Sequence, residues 1–156
     1  MNYLSEFAGS FVLLAGGYAY MCNISLKKTQ IAAMNYLELT IAWSLAVGFG
    51  LAVSAIMGGP AYLNPGVVLG NMIWNGLGFK EAAVYLLMEF LAAGAAVFIC
   101  MIFFWNSFQA SKDGDKRSIF SAYTVEKNIP LNFIQVLIAT FFFMFFVFMC
   151  IMGTSE

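Results

Sequence analysis

Four long apolar stretches, parted by polar or glycine-rich segments, account for most of this chain. A membrane-spanning helix needs about 20 mostly apolar residues. Residues 3–22 ("YLSEFAGSFVLLAGGYAYMC"), 36–57, 82–105 and 131–152 each meet that length. The polar segments 23–35 and 106–130 separate the first span from the second and the third from the fourth, and 106–130 reads as an aqueous loop. The pattern predicts an all-α membrane protein of four transmembrane helices in a single membrane domain, multi-pass in a cell membrane.

One segment fits neither category. "GGPAYLNPGVVLGNMIWNG", residues 58–76, holds an apolar run too short to cross a bilayer and too apolar for an aqueous loop. Gly58, Gly59 and Pro60 predict a non-helical entry. Asn64 is a good helix cap, and Pro65 suits the first helical position because it has no N–H to leave unsatisfied. Residues 64–75 therefore read as a re-entrant half-helix of roughly 18 Å, about half a bilayer. Irregular backbone at membrane depth is tolerated only where protein buries it or it lines a watery cavity. The half-helix N-terminus, with its free N–H groups and positive dipole end, would then point at the midplane. The alternative is a short amphipathic helix lying on the membrane surface.

Composition supports the lipid solvent: 62% of residues are hydrophobic and 10% charged, against roughly a quarter charged in soluble proteins. The first three spans carry small residues at close spacing, including Gly9, Gly16, Gly17, Gly48, Gly50 and Ala92–Ala96 around Gly94. In lipid such residues let helix backbones approach. The fourth span, with "TFFFMFFVFM", is bulky throughout and suits a lipid-facing position. Residues 3–21 lack a basic leader and a small-residue cleavage site, and are read as a retained span.

The candidate chemistry is sparse. The net charge of −1 and the lack of a basic run give no sign of nucleic acid, and there is no histidine. Cys22, Cys100 and Cys150 stand apart with no metal-ligand spacing, so no metal, cofactor or enzymatic constellation is expected. Glu6 and Glu89 lie inside spans, where ionisable residues serve function or pair with one another.

"AYLNPGVVLG" resembles the "HLNPAV" half-helix signature of the aquaporin and glycerol-facilitator family, the major intrinsic proteins. "YLSEFAGSFVLL" is similar to that family's first-helix "AEFxGT" signature, followed by "LKKT" at the expected distance. "LELTIAWSLAVGFGL" resembles the second helix of bacterial glycerol facilitators, "MEFLAAG" the third helix's "QxxGA", and "IFSAY" with "PLNFIQVLIATF" the loop and fourth-helix entry. These matches run in order over nearly all of the chain.

The resemblance implies an aquaporin-like but incomplete fold: the first of two inverted repeats plus the opening helix of the second, without a second half-helix. It implies that Asn64 donates its side-chain amide to permeating hydroxyl or water oxygens, with Pro65 structural, Gly66 in place of the usual alanine and Tyr62 where histidine is common. Trp43 matches a filter position at which tryptophan marks glycerol facilitators; packing or interfacial anchoring is its alternative role. Glu6 corresponds to a carboxylate brace against pore-loop N–H groups, and Glu89, which stands where glutamine is usual, is assigned with it as a structural brace.

The implied function is a passive channel, or channel part, for glycerol, water or similar neutral solutes. Its pore would be completed by another chain, either an inverted copy in a homo-oligomer or a partner supplying the second half-helix. Two alternatives stand beside it: a non-conducting relic of a glycerol facilitator, and a small four-helix proton-coupled exporter using Glu6. The resemblance places both termini in the cytoplasm. The positive-inside rule, counting Lys27, Lys28, Lys112, Lys116, Arg117 and Lys127 against Lys80, places the N-terminus outside.

Overall fold

The computed structural model describes residues 2–29, 36–120 and 128–153. The described residues form helices and connecting turns, in the order α1 (Tyr3–Ser25), α2 (Tyr36–Ile56), α3 (Pro65–Trp74), α4 (Phe79–Phe103), α5 (Trp105–Ala110), α6 (Asp113–Phe120) and α7 (Ile129–Gly153). Four of them, α1, α2, α4 and α7, are long and apolar enough to cross a membrane. The chain divides into two compact units, Met1–Ser121 and Ala122–Glu156.

In the first unit α1 is the hub, packing against both α2 and α4. Small residues set the α1–α2 approach. A Cβ on Gly50 would lie 2.7 Å from the Gly9 carbonyl oxygen, and one on Gly9 would lie 2.8 Å from that of Gly50. The two backbones touch where neither glycine has a side chain, the contact that lipid-embedded helices favour. On α4 the buried residues Tyr85, Glu89, Ala92, Ala96 and Cys100 recur every three or four positions, which puts them on one face of the helix. The Cys100 thiol lies 3.8 Å from the Ala15 carbonyl oxygen of α1.

Some helix ends differ from the apolar stretches. The third span was expected from residue 82, yet α4 starts at Phe79 and includes Lys80 and Glu81. Hydropathy marks the lipid-facing part of a helix, whereas its first turn can sit in water, where an acid favours the positive dipole end. At the other end of the first span α1 runs on to Ser25, and Asn23 bonds back to the Ala19 carbonyl at 2.9 Å.

The segment read as an aqueous loop is also more structured than expected. Residues 105–120 form α5 and α6, which bury Phe108 and Ile119 against Cys22, Leu26 and Cys100. Ser111 accepts the Lys27 backbone N–H at 2.8 Å and ties this segment to the end of α1. Phe120 adds an edge-on contact with Tyr18 of α1, ring centroids 5.1 Å apart, so a few apolar side chains in a charged stretch dock it, a signal that averaged hydropathy conceals. Residues 121–127 of the predicted loop and 30–35 of the first connector lie outside the described residues. Within the second unit α7 carries a ladder of aromatic contacts, Phe141 stacking with Phe145 at 6.4 Å between ring centroids.

The Gly9–Gly50 contact predicts a sharp positional contrast. Gly50→Leu must force α1 and α2 apart and should destabilise the chain by about 1–3 kcal/mol or more. Gly48, whose added Cβ would meet nothing within 4 Å, should accept alanine with stability equal or raised by roughly 0.5–1 kcal/mol. Thermal melting in detergent, followed by circular dichroism, checks both.

Candidate functional site

The segment between α2 and α3 doubles back into the bundle, and its backbone geometry explains how. Gly58 has φ of 74° after the last turn of α2, and its N–H bonds the Ala55 carbonyl at 2.9 Å. Gly59 then passes against α1 and α2 so closely that a Cβ there would sit 1.8 Å from the Ser5 hydroxyl oxygen. Ala61 and Leu63 both take left-handed backbone conformations, with φ of 54° and 52°. Such conformations are uncommon away from glycine and persist where the surroundings over-determine them.

Glu6 is what over-determines them. Its carboxylate, fully buried on α1, accepts the backbone N–H of Tyr62 at 3.3 Å through one oxygen and that of Leu63 through the other. The Leu63 side chain fills the notch left by the two touching glycines, its methyls 2.7 Å and 3.2 Å from where Cβ atoms of Gly9 and Gly50 would stand. Leu63 is thus held by backbone and side chain together, a role no motif in the sequence had marked.

From this anchor Asn64 begins α3. It has extended backbone, φ −153° and ψ 125°, and its Oδ1 accepts the Gly66 N–H at 2.8 Å. That bond commits the side-chain oxygen to the helix and leaves the amide NH2 as the donor end of the side chain. Asn64 is half-buried, Pro65 exposed and Gly66 half-buried in the first turn. α3 buries Val67, Val68, Gly70 and Asn71 and exposes Leu69, Ile73 and Trp74. It ends at Asn75 and Gly76, with the Leu77 N–H turned back to the Asn71 carbonyl at 3.2 Å.

The remaining candidates fall into two groups. Tyr62 packs edge-on against Tyr85 of α4, ring centroids 5.2 Å apart, and Tyr85 in turn meets Tyr3 at 5.0 Å. Glu89 is buried on α4 and faces the Glu6 carboxyl and the Asn64 backbone N–H. Glu6, Tyr62, Asn64, Pro65, Gly66 and Glu89 therefore belong to one neighbourhood. Trp43 does not join it. It sits on α2 two turns before Gly50, roughly 10 Å along the axis, with its indole over Gly17 and edge-on to Tyr18. No group of histidine, cysteine or acidic side chains among the described residues is arranged to hold a metal ion.

The model of the family described as "Major intrinsic protein" matches residues 1–156. Glycerol uptake facilitator protein 2 of Lactiplantibacillus plantarum is 35% identical over 147 residues, covering 92% of this chain and 63% of the relative. The glycerol uptake facilitator protein of Streptococcus pneumoniae serotype 4 is 29% identical, covering 90% and 61%. A D/L-lactic acid transporter of L. plantarum is 26% identical, covering 90% and 59%. The chain thus spans about three fifths of the length of the relatives it matches, and no solved structure matches it. With the family model matched over residues 1–156, the chain belongs to the major intrinsic protein family.

Proposed function

We propose that this chain forms one side of a passive conduit for glycerol, water or similar small neutral solutes, with Asn64 as the donor that permeating oxygens meet. The observation that carries this reading is the Asn64 cap: its Oδ1 is held by the Gly66 N–H, so its NH2 group is free to donate. A donor at the positive end of a helix orients hydroxyl oxygens and disfavours cations. Further support comes from the shape of α3. Its ten residues extend roughly 15 Å, half a hydrocarbon core, and its outward face of Leu69, Ile73 and Trp74 is apolar.

Pro65 starts α3 without an unsatisfied N–H, and Gly66 supplies the N–H that orients Asn64. Tyr62 closes the back of the segment against α4. Trp43 lines the same conduit at a second level, its aromatic face passing alkyl carbons. The opposite wall, with a second half-helix, comes from another chain, an inverted copy of this one or a partner. Glu6 serves as a brace: its buried oxygens are engaged by the Tyr62 and Leu63 amides, which favours a channel over an exporter that cycles this carboxylate.

The test is solute flux into vesicles reconstituted with the purified chain. Glycerol or water flux should exceed that of protein-free vesicles and persist without a proton gradient. Asn64→Asp keeps an oxygen for the cap but removes the donor. Loss of a hydrogen bond worth about 1–1.5 kcal/mol should lower flux on the order of tenfold, with the melting temperature retained. Flux at the lipid background overturns the conducting reading, and flux that collapses with the gradient favours an exporter.

A further inference from the structure

Two carboxyl groups meet behind the half-helix, and the polar groups around them do not balance as two carboxylates. Glu6 is fully buried and Glu89 is 5% exposed. Glu6 receives the N–H groups of Tyr62 and Leu63. Both oxygens of Glu89 are buried, and neither receives a hydrogen bond of normal geometry. The groups it interacts with are the Glu6 carboxyl and the Asn64 backbone N–H.

Among the described residues, no basic group is seen acting on the pair. Tyr3 comes from α1, Tyr62 from the entry to α3, and Tyr85 and Glu81 from α4; all act on one another or on Glu6, and none of them is basic. The buried residues of α2 are Ala46, Gly50 and Ser54, which do not titrate. An unpaired buried carboxylate is strongly unfavourable, and two that face each other without a cation cannot both ionise.

One proton removes the imbalance. We propose that Glu6 and Glu89 form a single-proton binding site, in which Glu89 carries the proton and donates its O–H to the Glu6 carboxylate. Glu6 then accepts from the Tyr62 N–H, the Leu63 N–H and the Glu89 hydroxyl. The other Glu89 oxygen is left facing the Asn64 N–H as an acceptor. Glu6 is the member that stays ionised, because backbone N–H groups and the positive end of α3 favour its charge. The proton belongs to the pair, since strongly interacting groups titrate as a unit.

Release of the proton breaks the Glu89 O–H bond, passes H⁺ to water and leaves the pair with two negative charges. Repulsion then acts on the carboxylate that holds Tyr62 and Leu63, and the entry to the half-helix loosens. The site is thus a built-in alkaline switch on the position of Asn64.

Infrared spectroscopy and thermal melting of the purified full chain test this without any flux measurement, so the outcome is separate from that of the transport experiment. Wild type should show a protonated-carboxyl C=O band at neutral pH that disappears as pH rises, with a parallel downward shift in melting temperature. Glu89→Gln should lose the band and the pH-dependent shift together, because its amide donates to Glu6 in place of the acid. Glu89→Ala, with no donor, should melt below Glu89→Gln at neutral pH. Absence of the band from wild type at neutral pH, or its persistence in Glu89→Gln, overturns the proposal. So does a melting temperature whose pH dependence is the same in wild type and Glu89→Gln.

Discussion

The contact on which the first unit depends is the Glu6 carboxylate accepting the Tyr62 and Leu63 backbone N–H groups. A chain that turns back inside an apolar bundle exposes peptide groups where no bulk water can serve them, and each unsatisfied group costs several kcal/mol. A carboxylate is acceptor-only, so it takes both amides without requiring an acceptor in return. The left-handed backbone at Ala61 and Leu63 is the geometry that turns these amides toward α1. Pro60 and Pro65 flank the turn and carry no N–H of their own to satisfy.

That contact needs the rest of the bundle to be where it is. Glu6 lies on α1, the helix that touches both α2 and α4. Gly9 and Gly50 bring α1 and α2 together closely enough for the Leu63 side chain to wedge at their junction. Small residues thus have two consequences here: they set the helix spacing, and they shape the notch that fixes the register of the re-entrant segment. Asn64 follows immediately, so its amide takes a position dictated by α1 and not by the loop's own preferences. A rigid first turn of α3 is what a donor needs if it is to meet passing oxygens without reorganising.

Much of this was legible in the sequence, for physical reasons that can be named. The half-helix stood out because Asn64-Pro65 and Asn75-Gly76 are strong local start and stop signals, and α3 occupies Pro65–Trp74 between them. The long helices were legible because lipid demands sustained hydropathy. The first turn of α4 was not, since its Lys80 and Glu81 lie beyond the apolar stretch. The helices α5 and α6 were missed because the few apolar side chains that dock them, Phe108, Ile119 and Phe120, are scattered among polar neighbours. Leu63 was invisible as an anchor, because nothing in a leucine's identity foretells a positive φ. Glu6 was linked to the half-helix only through family resemblance; its partners are long-range, more than fifty residues away in the chain. Trp43 was singled out only by its match to a filter motif; its packing on Gly17 and Tyr18 of α1 is a long-range contact that no local pattern marks.

If Glu6 holds the start of α3 within the bundle at membrane depth, position 64 must lie far from the headgroups. A nitroxide attached at position 64, in a chain with Cys22, Cys100 and Cys150 replaced by alanine, reports this depth through its relative exposure to dissolved oxygen and to a water-soluble nickel relaxant. The expected result is a midplane depth that shifts toward the headgroups when Glu6→Ala is added. A label at headgroup depth with Glu6 intact would contradict it and leave α3 as a helix on the membrane surface.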